Sequence, residues 1–296
     1  MAAEPSFEKS TFAWIWDSVD VTTEELARFQ PEWDIPVDIV VEADVGHRTG
    51  FDEVVRYGID CARAGASSLH MHIRDEHDQE VGDPGVWREA IDQIAAEVGE
   101  IGVNRGLRGK ELRESLSHLE HGLFASVPIQ PLLDPEYVRA VIAAMKENEV
   151  VPDLIIFDTA DVNLAKTQLF DTGVLAPPAL WTVSLGFPLM GMALPDSALM
   201  TRGLTHTVEL IRRIDPEGII KVCATGRASS YTTTQAMLMG LDIRPGSGET
   251  PWRHPHRPER LENAVVGVSD AIAVATALGR TPVPPGEYLE RLVRLR

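Results

Sequence analysis

The chain has 296 residues, 44% hydrophobic and 24% charged, which is typical of a globular protein with a substantial core. The formal net charge of −18 argues against nucleic acid and anionic membrane surfaces as partners, because basic surfaces bind phosphates. Two distant cysteines exclude a cysteine-rich metal site. Since no apolar run approaches the about 20 residues of a membrane span and no signal pattern is present, we expect a soluble, cytoplasmic protein.

The first segment, residues 1–36, is polar and aromatic and ends at Pro36. Trp14, Trp16 and Trp33 lie among acidic residues, and a disordered tail seldom contains three tryptophans. We therefore expect an N-terminal extension that lies on the main domain or on a neighbouring subunit.

From Val37 onward, short apolar runs alternate with helical periods. The apolar runs predict strands at residues 37–44, 67–72, 101–105, 123–127, 153–157, 180–185, 219–224 and 241–244. The helical periods predict helices at residues 51–64, 84–98, from near 109, 135–148, 159–170, 197–213, 232–239 and 258–278. Eight β–α alternations imply a parallel sheet and favour a closed (β/α)₈ TIM barrel over an open doubly wound sheet. We expect residues 37–296 to form this catalytic domain.

His70 and His72 lie at the end of the second predicted strand, where barrel enzymes place their active sites. Two histidines at i and i+2 point to one face, so both imidazoles can bind one divalent metal ion, for which zinc is the expected identity. The alternative is a pair satisfied by backbone groups. A third ligand must come from another strand end, and Glu249 is well placed because strands eight, one and two are neighbours. The alternative is that Glu249 is not a metal ligand but a solvent-exposed carboxylate of the loop.

Other charged groups surround the same predicted end of the barrel. Glu42 and Asp44 alternate toward the interior of the first strand and are candidates for proton transfer or for support of a metal. Gly186 follows strand six, where a glycine turn exposes backbone N–H groups to an anion. Candidate arginines near the mouth, which would offset the acidic charge toward an anionic substrate, are Arg74, Arg105, Arg108, Arg227 and Arg253.

Several motifs in order resemble one family. The segment LHMHIRD, preceded by Gly65-Ala66, is similar to the His-x-His-x-Arg-Asp segment of the beta-keto acid cleavage enzymes. VPDLIIFDTADV resembles the family segment whose acidic residue aligns with Asp158. SLGFPLMGM, MGLDIRPGSGET and the C-terminal stretch from ENAVVGV to PPGEY resemble three further segments. The resemblance covers about residues 37–296.

The resemblance implies a zinc-dependent (β/α)₈ enzyme with His70, His72 and Glu249 as metal ligands. It implies a β-keto acid and acetyl-CoA as substrates, with acetoacetate and a new acyl-CoA as products. Arg244 matches an arginine implicated in proton transfer, and we expect Asp158 to be catalytic. Family members assemble as dimers or tetramers, which predicts a homo-oligomer with the Trp-rich extension as a contact.

The chain also departs from the family pattern. Thr250 stands where an aspartate follows the ligand glutamate and makes the arginine more basic, and Ser247-Gly248 occupies the place of one residue. An arginine without that carboxylate is a poor base at neutral pH, so Glu42 or Asp44 becomes the expected base. The substrate-holding turn after strand three reads Asn104-Arg105-Gly106-Leu107 instead of the family sequence.

Two alternatives remain open on the sequence. One is a metal-dependent C–C lyase or hydrolase that acts on a small carboxylic acid without CoA, which the altered turns favour. The other is a catalytically silent barrel that binds a small acid or a partner.

Overall fold

The computed structural model describes residues 35–46, 49–106, 123–130, 134–186 and 197–296. Nearly all of the expected N-terminal extension and the expected helix near residue 109 lie outside these ranges, so both stay predictions. From Pro36 onward the described residues form one compact unit. No helix within them has both the length and the apolar character needed to cross a membrane.

Eight parallel strands form the barrel, which confirms the predicted fold class. In chain order they are β2 (Glu42–Asp44), β3 (Ser68–Met71), β4 (Gly102–Gly106), β5 (Leu123–Pro128), β6 (Val151–Ile156), β7 (Leu180–Leu185), β8 (Ile219–Ala224) and β9 (Asp242–Ile243). Parallel bridges from Val41 to Ile243 and from Asp44 to Gly246 join the first of these strands to the last. Each strand therefore ends at the same rim, where its inward-facing side chains meet.

A short second sheet replaces the start of the first predicted strand. β1 (Asp38–Ile39) pairs in parallel with β10 (Thr281–Pro282) and does not continue into β2. The guanidinium of Arg280 secures this end of the chain, since its Nε donates to the carbonyl of Pro36 at 3.0 Å and its Nη2 to that of Asp38 at 2.6 Å.

Helices cover the outside of the barrel. They are α1 (Phe51–Arg63), α2 (Pro84–Val98), α3 (Pro135–Glu147), α4 (Thr159–Ala165) with a π-helical turn at Lys166–Phe170, α5 (Ser197–Ile214), α6 (Ser229–Leu238), α7 (Ala264–Ala277) and α8 (Pro285–Val293). The last long helix was predicted to begin at residue 258, which is wrong. It begins at Ala264, because Asn263 caps it by accepting a hydrogen bond from the N–H of Val266 at 3.1 Å.

The barrel interior changes from apolar to polar along the strands. At the amino-terminal end, Val40, Phe124, Val151 and Leu180 pack with Tyr288 and Leu292 of α8, which was not predicted. Above them, the inward-facing positions are polar or charged and are buried. Apolar packing thus closes the lower end and leaves the polar groups to the carboxyl ends of the strands.

Candidate active site

Two histidines converge at the carboxyl end of β3. Because side chains alternate along a strand, His70 and His72 both face the barrel interior. Both are buried, and their Nε2 atoms are 3.1 Å apart. The Nδ1 atom of His72 lies 2.9 Å from Oε1 of Glu80. A carboxylate there favours the His72 tautomer with its proton on Nδ1. The Nε2 lone pair of His72 is then free to bind a metal ion together with Nε2 of His70. This arrangement suits two ligands of one metal ion.

Glu80 is a residue that the sequence reasoning missed. It reaches His72 because residues 74–80 fold back on themselves, with an antiparallel bridge between Arg74 and Glu80. Asp75 forms the turn, since its Oδ1 accepts hydrogen bonds from the N–H groups of residues 77 and 79 at 2.9 and 2.8 Å. An aspartate that initiates a turn after the histidine pair is the signal that would have indicated this hairpin.

The loop after β9 brings Arg244 and Glu249 together. The Nε of Arg244 donates to Oε1 of Glu249 at 2.8 Å, and its Nη2 lies 2.6 Å from the same oxygen. The Nη2 also lies 3.2 Å from Sγ of Cys223, which faces inward from β8. Burial raises the pKa of the Cys223 thiol well above its usual value. The buried thiol is therefore a neutral neighbour of Arg244.

Asp44 faces the same cluster from the end of β2. Its backbone N–H donates to the carbonyl of Pro245 at 2.9 Å, and its Oδ1 accepts the N–H of Gly46 at 3.0 Å. A side chain at Gly248 would overlap the Asp44 carboxylate, so the loop after β9 passes this close only because that residue is glycine. Burial and the Glu249 carboxylate together raise the pKa of Asp44 to about 8, whereas the charges of Arg244 and His72 lower it. Asp44 thus lies near both the histidine pair and the Arg244–Glu249 pair.

A layer of four polar side chains lies beneath this cluster. It comes from alternate barrel strands and consists of Glu42, Asn104, Asp153 and Lys221. All four are fully buried. Lys221 Nζ lies 2.7 Å from Oε2 of Glu42 and 3.3 Å from Oδ2 of Asp153. Asn104 Nδ2 donates to Oε1 of Glu42 at 3.1 Å and to Oδ2 of Asp153 at 2.7 Å. Every charge in the layer therefore has an opposite partner.

This layer connects to the mouth of the barrel through one ion pair. Oε1 of Glu42 lies 3.8 Å from Nη1 of Arg244. Glu42 was a candidate site residue from the sequence, whereas Lys221 was not. Its signal was a lysine in the middle of the apolar run IIKVCA, at a position that the alternation directs into the barrel.

Asp158 lies apart from this cluster and caps a helix. Its Oδ1 accepts the N–H of Ala160 at 2.7 Å and that of Asp161 at 3.4 Å, which satisfies the first turn of α4. The side chain of Asp161 in turn accepts the backbone N–H of Asp158 at 3.3 Å, so the two residues form a capping box. The structure accounts for Asp158 through helix capping.

Arg108 lies outside the described residues, and the other arginines expected at the mouth each contact protein groups. Arg105 alternates to the outer face of β4, where it is buried and its guanidinium lies 4.5 Å from the ring centre of Trp87. Arg74 donates to the carbonyl of Asp78 at 2.6 Å within its own hairpin. Arg227 is exposed and stacks 3.8 Å from the ring centre of Trp252.

Gly186 has a positive φ of 78° at the end of β7. A Cβ there would lie 2.7 Å from the carbonyl oxygen of Thr225, so the glycine permits close approach of the segments that follow β7 and β8. Residues 187–196, which continue this expected loop, lie outside the described residues.

The donor types in the cluster fit a zinc ion. His70 and His72 supply convergent imidazoles, Glu80 supports one of them, and Glu249 supplies a carboxylate. In the ranges that the structure describes, no three His, Cys, Asp or Glu side chains are already arranged as a metal-binding group. In the structure the Glu249 carboxylate is bound to Arg244.

Solved structures with similar folds support the barrel assignment. The apo structure of ObcA matches with a TM-score of 0.70 at 15% identity, covering 83% of this chain but only 65% of that chain. A ternary complex of ObcA with a C4-CoA adduct and oxalate matches with the same TM-score and identity, covering 83% of this chain and 67% of that one. The type I 3-dehydroquinate dehydratase of Clostridium difficile matches with a TM-score of 0.57 at 8% identity, covering 82% and 92%. At these identities the likeness shows the fold alone.

No curated protein matches this chain at a significant level. Residues 49–293 match the family described as beta-keto acid cleavage enzyme. This match covers most of the chain, including the histidine pair and the loop after β9. The chain therefore belongs to the beta-keto acid cleavage enzyme family.

Proposed function

We propose that this chain is a zinc-dependent enzyme that condenses a β-keto acid with acetyl-CoA. The acetyl group joins the CH₂–COO⁻ part of the keto acid to give acetoacetate, and the remaining acyl group leaves as a new acyl-CoA. The observation that carries the proposal is the convergence of His70 and His72 at the rim of a barrel of this family. A zinc ion bound there would polarise the carbonyl of the keto acid and stabilise negative charge on its oxygen.

His70, His72 and Glu249 are the residues proposed to hold the metal. Glu80 keeps His72 oriented, since its carboxylate lies 2.9 Å from Nδ1. A carboxylate has two oxygens, so Glu249 can keep Arg244 on one and offer the other to a cation. The Glu249 side chain already lies in the cluster, beside Arg244.

Asp44 and Arg244 are the proposed catalytic residues. Arg244 is permanently charged and has a planar fork of N–H donors, which suits the carboxylate of a keto acid. Asp44 is a carboxyl group at the rim whose raised pKa, about 8, makes it a stronger proton acceptor than an ordinary aspartate, whereas Glu42 lies one layer deeper and is bound to Lys221. We therefore assign to Asp44 the removal of a proton from the carbon between the keto and carboxylate groups.

The relatives support this substrate class. ObcA has been solved in complex with oxaloacetate, which is a β-keto acid, and with a C4-CoA adduct. Its chain is longer than this one, which covers 66% of it in the oxaloacetate complex. A small keto acid and a CoA ester are the partners that we carry over to this chain as proposals.

One observation favours a second candidate, a C–C lyase or hydrolase without CoA. Arg74, Arg105 and Arg227 were expected to offset the charge of −18 toward CoA phosphates, yet each is bound to other parts of the chain. Arg105 in particular faces away from the barrel interior. A small carboxylic acid needs no such set of arginines.

The two candidates are separated by their dependence on acetyl-CoA. Zinc-loaded protein is incubated with a panel of β-keto acids, oxaloacetate included, with and without acetyl-CoA labelled in its acetyl group. Label in acetoacetate, found only with both substrates and absent in a His70→Ala, His72→Ala double variant, supports the condensation. Loss of keto acid without acetyl-CoA supports the second candidate. No turnover of any member by fully loaded protein would contradict both.

We also propose a homo-oligomer, a dimer or tetramer, with residues 1–36 at the contact. Light scattering on the full chain and on a chain lacking residues 1–36 tests this. An unchanged mass would remove the extension from the interface.

A further inference from the structure

Glu42 is fixed in place on all sides. Its Oε2 lies 2.7 Å from Nζ of Lys221 and accepts the hydroxyl of Ser68 at 3.4 Å, while its Oε1 accepts Nδ2 of Asn104 at 3.1 Å. The side chain is fully buried. A carboxylate held in this way does not reach a substrate at the rim. Glu42 is therefore poorly placed to remove a proton from the substrate.

The group that Glu42 faces at the rim is Arg244. Its Oε1 lies 3.8 Å from Nη1 of Arg244, a nitrogen that hydrogen-bonds to no described residue, whereas Glu249 binds Nε and Nη2. Arg244 is thus held between two carboxylates. Thr250, which follows Glu249, has no carboxylate to add. Its hydroxyl accepts the N–H of Trp252 at 3.1 Å within a turn.

The two carboxylates are not equivalent. Under the proposed function, on which this inference rests, Glu249 shares its charge with a metal ion. Glu42 is then the anion that remains dedicated to Arg244. Lys221 prevents that carboxylate from following the guanidinium, because it binds Oε2 from below at 2.7 Å.

We infer that Glu42 is a positioning residue for Arg244 and that Lys221 is its anchor. The guanidinium is directed at the rim because the fixed carboxylate of Glu42 attracts its Nη1 across 3.8 Å. Glu42 acts through Arg244 and does not touch the substrate. Within the layer beneath the rim, Glu42 and Lys221 therefore serve the reaction as well as the stability of the barrel.

Asp153 provides a matched control. It is also a fully buried carboxylate that binds Lys221, at 3.3 Å, and Asn104, at 2.7 Å. Its remaining partner is the hydroxyl of Thr182 at 2.7 Å, below the rim. Removing either carboxylate takes one negative charge from the same layer, but only Glu42 contacts Arg244.

The test compares Glu42→Gln with Asp153→Asn in zinc-loaded full-length protein. For the condensation of a β-keto acid with acetyl-CoA, we expect Glu42→Gln to lower kcat at least 30-fold. The KM for the keto acid should change less than threefold, and the zinc content should not change. We expect Asp153→Asn to keep kcat within threefold, although both variants unfold at a lower temperature. Equal losses of kcat in the two variants, or an unchanged kcat in Glu42→Gln, would overturn the inference. If Glu42→Gln does not fold, Glu42→Asp keeps the charge but withdraws it by one methylene, and the same loss of kcat is expected.

A second readout does not depend on turnover. The side-chain Nη1–H resonances of Arg244, which face Glu42, are assigned by their disappearance in Arg244→Lys, and their hydrogen exchange is measured in nitrogen-15-labelled protein. We expect exchange at least tenfold faster in Glu42→Gln and unchanged in Asp153→Asn. Exchange that stays slow in Glu42→Gln contradicts the inference even if the wild-type protein condenses no keto acid, so the two proposals fail separately.

Discussion

Replacing Lys221 with methionine removes the cation of the buried layer and keeps a side chain of similar length. Lys221 is fully buried, with Glu42 at 2.7 Å and Asp153 at 3.3 Å. Removal of one partner of a buried ion pair costs about 3–5 kcal/mol, because the remaining charges stay in a medium that cannot solvate them. In a chain of 296 residues, that loss lowers the unfolding temperature by about 5–8 °C.

The assay is thermal unfolding followed by circular dichroism, with Lys166→Met as the matched control. Lys166 forms an ion pair of the same length, 2.7 Å to Asp171, but its side chain is 44% exposed. Exposed pairs contribute about 0–1 kcal/mol, so the control variant should lose less than about 3 °C. If Lys221→Met loses no more than Lys166→Met, the layer is not the dry, fully paired network described above.

Three further predictions concern other parts of the barrel. Gly248→Ala forces a Cβ into the buried carboxylate on β2 and should cost more than about 2 kcal/mol and weaken zinc binding, whereas Gly286→Ala, with no atom nearby, should cost less than about 1 kcal/mol in urea unfolding. Burial raises the pKa of Asp161 to about 6, so the folded state binds more protons than the unfolded state and stability falls as pH rises from about 4 to about 6. Asp161→Asn should flatten this slope by about 2 kcal/mol in total. Arg105→Met should lose about 1–2 kcal/mol with its contact to Trp87, yet leave KM for the keto acid unchanged in the acetoacetate assay.

The barrel was predictable from the sequence because its evidence is local. Each strand is a short apolar run, and the alternation along 180–185 or 219–224 needs no knowledge of distant residues. The convergence of His70 and His72 follows from the same alternation, since residues two apart share a face of a strand. These features depend on spacing within a few residues.

Other features depended on partners that are distant in the chain. Lys221 pairs with Glu42, 179 residues away, and no local sequence pattern predicts which carboxylates will pair with a buried lysine. Arg105 was placed at the mouth by the rule that strand ends carry function, although the alternation that puts Asn104 inside puts Arg105 outside. The capping role of Asp158 was available locally, in the spacing from Asp158 to Asp161.

The most direct test of the account is the zinc content of the protein after equilibrium dialysis against the metal. The wild-type chain should retain about one zinc ion, as a single site with two imidazoles and a carboxylate implies. His70→Ala with His72→Ala should retain almost none, while His206→Ala, an exposed histidine of α5, should match the wild type. Undiminished zinc in the double variant would contradict the central claim that the histidine pair at the barrel rim is the metal site.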